Sequence, residues 1–272
     1  MTDKIRADIA LVQRGLCASR EKAQSAIMAG QVYTREVRIN KASELIGPED
    51  ELTVRAPAIP YVGRGGLKLE KAISAFGVSV QDKVCMDVGC ATGGFTDVCL
   101  QNGARHVYAI DVGYGQFDWK LRSDPRVTLW ERTNARTLRR DMFESVPEIA
   151  VMDVSFISIQ LLIPVLFSVM GDTGTIVTLV KPQFEAGRGK IGKNGVVRDP
   201  RVHEEVLGNL MEFCTMSGLT VTDLDYSPIT GPKGNIEFLA KIIRGSGTPT
   251  APDITQIGRV VRQAHETLKH QA

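Results

Sequence analysis

The sequence predicts an α/β protein: a mostly parallel, doubly wound sheet of seven strands with helices on both faces, preceded by a small α+β domain. Three observations predict it. From Lys83 onward, strand-like runs alternate with helical ones, the order that a parallel sheet with crossover helices requires. Residues 84–97 (Val-Cys-Met-Asp-Val-Gly-Cys-Ala-Thr-Gly-Gly-Phe-Thr-Asp) read as a short buried strand, a glycine turn and the start of a helix. That order makes a ligand cradle at the carboxyl end of a parallel strand. Finally, residues 56–60 (Ala-Pro-Ala-Ile-Pro) are punctuated by proline, which favours an extended spacer. They divide a domain of residues 1–58 from one of 64–272, with 59–63 as linker.

Taken in order, residues 6–14 form a first helix, with Ile9, Leu11 and Val12 apolar and Gly15 closing it. Ser19 is placed as the N-cap of a second helix over 20–29, ended by Gly30. Short β segments follow at Val32–Tyr33 and 51–55. In the larger domain the strands expected are 84–88, 106–110, 127–131, 149–152, 175–180, 219–225 and 236–242. Helices fill 67–76, 94–102, 116–122, 158–170 and 201–216. The last two strands are joined by a stretch rich in Gly and Pro, residues 227–235, which predicts an antiparallel pair. Residues 245–252 read as a flexible link. Beyond it Ile254, Ile257, Val261, Ala264 and Leu268 recur at helical spacing, so the tail is expected to dock on the sheet.

Bulk properties exclude several classes. The 272 residues can bury a sizeable core, and 43% hydrophobic with 24% charged residues is ordinary for a soluble globular protein. The net charge is only +2, so any nucleic-acid surface is a local patch. Five cysteines without a C-x-x-C pair argue against a metal site or disulfide framework and for a reducing cytoplasm. The N-terminus lacks the apolar run of a signal peptide. The most apolar stretch, 157–170, is interrupted by Ser158, Gln160, Pro164 and Ser168, and is shorter than the roughly 20 residues of a bilayer span.

Two cofactor classes compete for the glycine turn. A dinucleotide fingerprint needs a second glycine where the pyrophosphate presses on the backbone, and Ala91 stands there. An acid two residues before the first glycine, Asp87-Val88-Gly89, is similar to what S-adenosylmethionine-dependent methyltransferases show. That cofactor has an ammonium that wants a carboxylate and a sulfonium that needs bare backbone beside it. Asp111, ending the next strand, lies where an acid would accept the ribose hydroxyls, and Asn134, past the third strand, where an amide would meet the adenine edge. The candidate cofactor set is therefore Asp87, Gly89, Thr92, Gly93, Gly94, Phe95, Asp111, Asn134 and Asp153.

Four charged residues remain: Lys68 in the first helix of the larger domain, Asp153 and Lys181 ending the fourth and fifth strands, and Glu237 inside the last. Charges at the edges of buried strands are costly unless they pair. In order they match the Lys-Asp-Lys-Glu tetrad of FtsJ-like ribose 2'-O-methyltransferases. More narrowly, the chain resembles the TlyA/hemolysin A family through Gly63-Arg64-Gly65-Gly66-Leu67-Lys68-Leu69, Asp111-Val112-Gly113-Tyr114-Gly115-Gln116 and Asp153-Val154-Ser155-Phe156-Ile157-Ser158. Lys181-Pro182-Gln183-Phe184-Glu185 and Gly231-Pro232-Lys233-Gly234-Asn235-Ile236-Glu237-Phe238 extend the match. The resemblance implies a class I, Rossmann-like methyltransferase using S-adenosylmethionine on ribosomal RNA or ribosomal subunits, at the ribose of a cytidine. Lys68, Asp153, Lys181 and Glu237 would be catalytic. Burial and a second cation lower a lysine pKa from about 10.4, whereas the carboxylates raise it. Lys181 therefore serves either as a base or as a group that positions and polarises the hydroxyl.

The N-terminal pattern Leu11, Gly15, Ser19-Arg20, Ala23, Ile27, Gly30, Val32 resembles the RNA-binding fold named after the fourth protein of the small ribosomal subunit. It departs from that pattern at Tyr33-Thr34-Arg35-Glu36, where the family has a Val-Asn-Gly turn. The resemblance implies RNA contacts from Arg20 and Lys22. Arg6, Arg64 and the basic loop residues Arg188, Lys190 and Lys193 complete the candidate RNA-binding set. The family's older name implies a membrane-active haemolysin as an alternative, but no insertion segment stands out that core packing does not explain better. A non-catalytic ribosome-binding factor is a further alternative, against which the intact tetrad argues.

Overall fold

The computed structural model describes residues 4–28, 30–35, 37–55, 59–245 and 254–268. Contacts divide the chain into two units, Met1–Pro60 and Tyr61–Ala272. The proline-rich residues 56–58 and most of the expected link at 245–252 lie outside the described residues. Tyr61 and Val62, placed in the linker by the sequence, pack within the second unit, where the Val62 amide donates to Asp97 Oδ2 (2.9 Å).

In the first unit, β1 (Ile5–Arg6) leads into α1 (Ala7–Gln13), followed by α2 (Arg20–Met28). Four short strands follow: β2 (Val32–Thr34), β3 (Val37–Arg38), β4 (Leu45–Ile46) and β5 (Leu52–Val54). Gly15 takes φ +71°, a conformation glycine adopts freely, and reverses the chain after α1. The Ser19 hydroxyl accepts from the Lys22 amide (3.2 Å), satisfying one of the unpaired donors at the start of α2. Leu11, Ala23, Ile27 and Val32 are buried together with Ile39, Ile46 and Leu52. Strand β2 pairs antiparallel with both β3 and β5, and β1 pairs with β4. Strands β1, β3 and β4, two residues each, are too short to leave a periodic signal in the sequence.

The second unit holds α3 (Gly66–Phe76), β6 (Val84–Val88), α4 (Gly94–Gln101), β7 (His106–Ile110), α5 (Trp119–Arg122), β8 (Val127–Trp130) and β9 (Ile149–Met152). It continues with α6 (Ile163–Met170), β10 (Thr175–Val180), α7 (Pro182–Glu185), α8 (Pro200–Met216), β11 (Leu219–Tyr226), β12 (Phe238–Arg244) and α9 (Ile254–Leu268). The seven strands run in the order β11-β12-β10-β9-β6-β7-β8. Pairings from β10 through β8 are parallel, and β12 is antiparallel to both its neighbours. The chain steps outward from β6 through β7 to β8, then returns to begin again at β9 on the other side of β6. The crevice at that reversal, between the carboxyl ends of β6 and β9, is where such sheets bind ligands.

Three expected elements differ. The helix over 158–170 is split into a short turn at Ile159–Leu161 and α6, because Pro164 lacks an N–H and fits only a first helical turn. The helix over 116–122 begins at Trp119, where the Asp118 carboxylate caps it by accepting from the Lys120 amide (2.8 Å). Strand β12 begins at Phe238, so Glu237 precedes it. The β11–β12 register ends at Tyr226 opposite Phe238, and Ser227 bonds the Glu237 carbonyl as the chain turns.

Alternation along β6 sends Val84, Met86 and Val88 to one face and Cys85 to the other. Packing on the first face includes α6, α8 and α9, and on the second α3 and α4. Helix α9 buries Ile257, Val260, Val261 and Ala264 in the core on the first face, and its Leu268 is also buried.

Candidate active site

Sheet order explains how distant residues converge. Asp153 and Lys181 follow the adjacent strands β9 and β10, and Glu237 enters β12, whose Phe238 pairs with Val180. Lys68 comes from the first turns of α3, which lies over the same end of the sheet. The four charges form a chain. Lys181 Nζ lies 2.6 Å from Asp153 Oδ1, Lys68 Nζ 3.3 Å from Asp153 Oδ2, and Lys68 Nζ 2.7 Å from Glu237 Oε2. Both lysines and Glu237 are buried. Two positive and two negative groups cancel, which is what allows so many charges in so little water.

Further groups complete the cluster. Lys181 Nζ donates to Ser155 Oγ (3.0 Å), and Gln183 Nε2 donates to Glu237 Oε1 (3.3 Å). A Cβ on Gly231 would sit 2.7 Å from Glu237 Oε1, so the glycine gives that carboxylate its place. Burial opposes the charged form of Lys68, but Asp153 and Glu237 outweigh it and raise its pKa above the ordinary lysine value. Lys68 is therefore a fixed cation shared by two carboxylates.

Two hollows meet here. A cleft of about 440 Å³ runs along the ends of β6 and β7, walled by Val88, Ile110, Asp111, Asn134, Ala135 and Leu162 among others. A cavity of about 220 Å³ is lined by Lys68, Thr92, Gly94, Phe95, Lys181 and Glu237 among others. Gly89, Ala91, Asp153 and Ser155 belong to both. The larger cleft has the size and the mostly apolar, sparsely polar lining of a small-molecule site.

Of the nine cofactor candidates, seven line these hollows: Gly89, Thr92, Gly94, Phe95, Asp111, Asn134 and Asp153. Asp111 is already in use as a scaffold, accepting from the Ala91 amide (2.8 Å) and the Gly113 amide (2.6 Å). The first bond holds Ala91 at φ +45°, a conformation costly for an L residue. Asn134 Oδ1 accepts from the Arg136 amide (3.0 Å), which orients its side chain.

Asp87 and Gly93 reach neither wall. The strand alternation that buries Cys85 turns Asp87 toward α4. There its Oδ2 accepts from the Thr96 amide (2.9 Å) and hydroxyl (2.7 Å). Burial pushes its carboxyl up to about 7, against the Thr96 bonds that pull it down, and Oδ1 is buried with no partner among the described residues. Gly93 has φ +97°, and a Cβ there would meet Leu121 at 2.5 Å, so its smallness serves packing under α5.

The basic candidates fall in both units. In the first unit, Arg6 Nε and Arg20 Nε each lie 2.9 Å from the buried Asp8 carboxylate, which Gln24 Nε2 also contacts at 2.8 Å. The Arg6 hydrogen bond, opposed by desolvation, holds the Asp8 carboxyl well below the usual range. The charge pattern hid this: the two guanidiniums share one buried acid and remain partly exposed. Lys22 is exposed on α2. In place of a Val-Asn-Gly turn, β2 and β3 are joined through Arg35 at φ +45°, and Glu36 lies outside the described residues. In the second unit, the Arg64 guanidinium donates to the Thr230 carbonyl, and Lys190 pairs with Glu205. The side chains of Arg188 and Lys193 lie outside the described residues. Their loop is anchored at its far end by Asn235, which accepts from the Val197 amide (3.0 Å) and donates to the Gly195 carbonyl (3.0 Å).

Sequence reasoning missed Ser155, Gln183, Asn235 and Phe156. Phe156 is 91% exposed at φ +65°, lines the larger cleft, and lies 5.1 Å, ring to ring, from Phe184. An exposed aromatic held in a strained conformation beside a cleft was signalled only by its adjacency to Asp153. Among the described residues no group of three His, Cys, Asp or Glu is placed to hold a metal, no helix is long and apolar enough to cross a membrane, and all five cysteines are free.

The profile of FtsJ-like methyltransferases matches residues 61–243, which span the whole of this site. The chain belongs to that family. YqxC of Bacillus subtilis, assigned as an rRNA methyltransferase, is 50% identical over 270 residues, covering 98% of this chain and 96% of its own. TlyA of Mycobacterium tuberculosis, named a 16S/23S rRNA (cytidine-2'-O)-methyltransferase, is 40% identical over 239 residues, covering 88% and 89%. A solved structure from Streptococcus thermophilus, assigned as a hemolysin, superposes with a TM-score of 0.78 at 46% identity, covering 100% of this chain and 99% of that one.

Proposed function

We propose that this methyltransferase acts on a ribose 2'-hydroxyl of ribosomal RNA, a cytidine being the target, with S-adenosylmethionine as donor. The observation that carries the reading is the Lys181–Asp153–Lys68–Glu237 chain, set on a cavity that shares walls with a nucleoside-sized cleft. The names of the relatives support the substrate. When bound, the cofactor supplies an electrophilic methyl group, released as the ribose oxygen forms its bond to carbon and the carbon–sulfur pair stays on sulfur.

The residues present fit that donor. Asp111 offers a carboxylate edge to ribose hydroxyls, Asn134 an amide to a base edge, and Ile110, Ala135 and Leu162 an apolar slot for the ring. Gly89, Thr92, Gly94 and Phe95 border the smaller cavity, which suits the amino-acid end. The unpartnered Oδ1 of Asp87 lies beneath as a buried acceptor.

Lys68 is committed to two carboxylates, so work on the acceptor falls to Lys181. Held by the ion pair with Asp153 and a hydrogen bond to Ser155, its ammonium has N–H left for the acceptor oxygen, positioning and polarising the hydroxyl, whose proton passes to water. Glu237 and Asp153 orient the lysines. We read the first unit as an RNA-binding domain using Arg6, Arg20 and Lys22, with Arg64, Arg188, Lys190 and Lys193 gathering phosphates beside the active site. The free cysteines suit a reducing cytoplasm.

Labelled cofactor and ribosomal subunits lacking the modification test this reading. Lys181→Ala is expected to abolish methyl incorporation while calorimetry still detects cofactor binding. Retained transfer would remove Lys181 from the mechanism.

A further inference from the structure

Ser155 stands two residues beyond Asp153 on the loop leaving β9. Its Oγ accepts from Lys181 Nζ at 3.0 Å, and its side chain belongs to the walls of both hollows. The loop that carries it is held firmly. Phe156, at φ +65°, turns the backbone immediately after it. Glu185 on α7 then accepts from the Ser158 hydroxyl (2.7 Å) and the Ile159 amide (2.9 Å), tying this loop to the segment that begins with Lys181.

A lysine head group sits on a flexible four-carbon stem, and one ion pair leaves it free to swing about its partner. Asp153 Oδ1, at 2.6 Å, supplies that one contact. A second contact, a directional hydrogen bond, limits the swing and fixes where the remaining N–H donors are offered. Ser155 Oγ is that second contact, placed where the two hollows meet.

We propose that Ser155 is a positioning residue for methyl transfer, acting through Lys181: its hydroxyl oxygen aims the ammonium at the acceptor hydroxyl. The inference rests on the reading of Lys181 given above. Because Ser155 would act on alignment in the reacting complex, its loss belongs in kcat. It leaves binding of RNA and cofactor in place.

The experiment uses the full chain in four forms, wild type, Lys181→Ala, Ser155→Ala and Ser155→Thr. Steady-state methylation of ribosomal subunits lacking the modification is read with labelled S-adenosylmethionine, and cofactor affinity by calorimetry. Ser155→Ala is expected to lower kcat about tenfold, the low end of a hydrogen bond to a charged group. KM for the subunit and cofactor Kd should stay within about twofold, well inside the scatter of one such bond. Threonine, which keeps the oxygen, should recover most of the lost kcat. Wild-type kcat in Ser155→Ala, a loss confined to KM or Kd, or no recovery with threonine would each overturn the proposal. Those outcomes alongside an inactive Lys181→Ala defeat the role of Ser155 alone. Transfer by Lys181→Ala defeats the reading on which it stands.

Discussion

Replacing Lys68 by methionine removes a buried charge while nearly preserving its volume, and the structure sets the size of the effect. Lys68 Nζ lies 2.7 Å from Glu237 Oε2, and Glu237 is 1% exposed. Asp153 keeps Lys181 at 2.6 Å and is partly open to water, so Glu237 is the group left stranded, with only Gln183 Nε2 at 3.3 Å among its described partners. Breaking such a buried pair costs about 3–5 kcal/mol. A stranded glutamate also has an escape, which is to take up a proton. From an ordinary glutamate value of about 4.3, that costs about 3.7 kcal/mol at pH 7 and about 1 kcal/mol at pH 5. The lower of the two routes governs, so Lys68→Met should lose about 3–4 kcal/mol at neutral pH and about 1 kcal/mol at pH 5. Both tryptophans, Trp119 and Trp130, lie in the second unit, so fluorescence during urea unfolding reports its stability without interference from the first. Adding Glu237→Gln to Lys68→Met should recover most of the loss at pH 7. A variant as stable as wild type at pH 7, or equally destabilised at both pH values, would refute the reasoning.

Two further predictions follow from groups outside the charge chain. Phe156 presents an exposed ring at the wall of the larger cleft, and base–aromatic stacking contributes about 1–3 kcal/mol. Phe156→Ala should therefore raise KM for the RNA substrate about tenfold or more without lowering unfolding stability; an unchanged KM would remove it from substrate contact. His203 on α8 is fully buried, its Nδ1 2.9 Å from Nε2 of His265 on α9 and its ring 5.3 Å from Phe238. Burial, followed by His265, pushes its pKa down to about 4. The unfolded chain then binds the extra proton between about 6.5 and 4, so this group's contribution falls as pH falls through that window, by at most about 3 kcal/mol. Asp87, raised to about 7, has the opposite sign between about 4 and 7, because its folded state holds the proton. Only a comparison with His203→Gln isolates the histidine, and the variant should show a shallower loss between pH 7 and pH 5. Parallel urea curves for the two proteins would contradict the assignment.

What could be read beforehand divides along physical lines. Strands β6, β7, β9 and β10 match the expected residues throughout, because a strand buried on both faces is a run of apolar residues bounded by turns. Asp153 and Lys181 stood out because charged residues at strand ends have few reasons to be there, whereas Lys68, on a helix, was marked only by the family resemblance. Ser155 and Gln183 did not stand out, because serine and glutamine near an active site look like serine and glutamine anywhere. Their importance lies in a 3.0 Å and a 3.3 Å contact between segments 26 and 54 residues apart. The sharing of Asp8 by Arg6 and Arg20 was hidden similarly: a charge count cannot see that one acid is buried beneath two partly exposed guanidiniums.

The glycine turn has a packing role beside the one expected of it. Its small residues were expected to clear backbone for a bulky cofactor, and Asp87 to meet the cofactor's ammonium. Yet a Cβ on Gly89 would lie 2.7 Å from the Asp153 carbonyl, and one on Gly94 would lie 3.0 Å from the Gly66 amide. These glycines let the end of β9 and the start of α3 close upon the loop. Asp87 fastens the first turn of α4 beneath it through Thr96. Since Asp153 follows β9 and Lys68 lies on α3, the same small residues that shape the cofactor loop also bring two members of the charge chain within 3.3 Å of each other. A side chain at Gly89 or Gly94 would therefore spread the charge chain as well as crowd the loop. The glycine turn and the charge chain are coupled by packing.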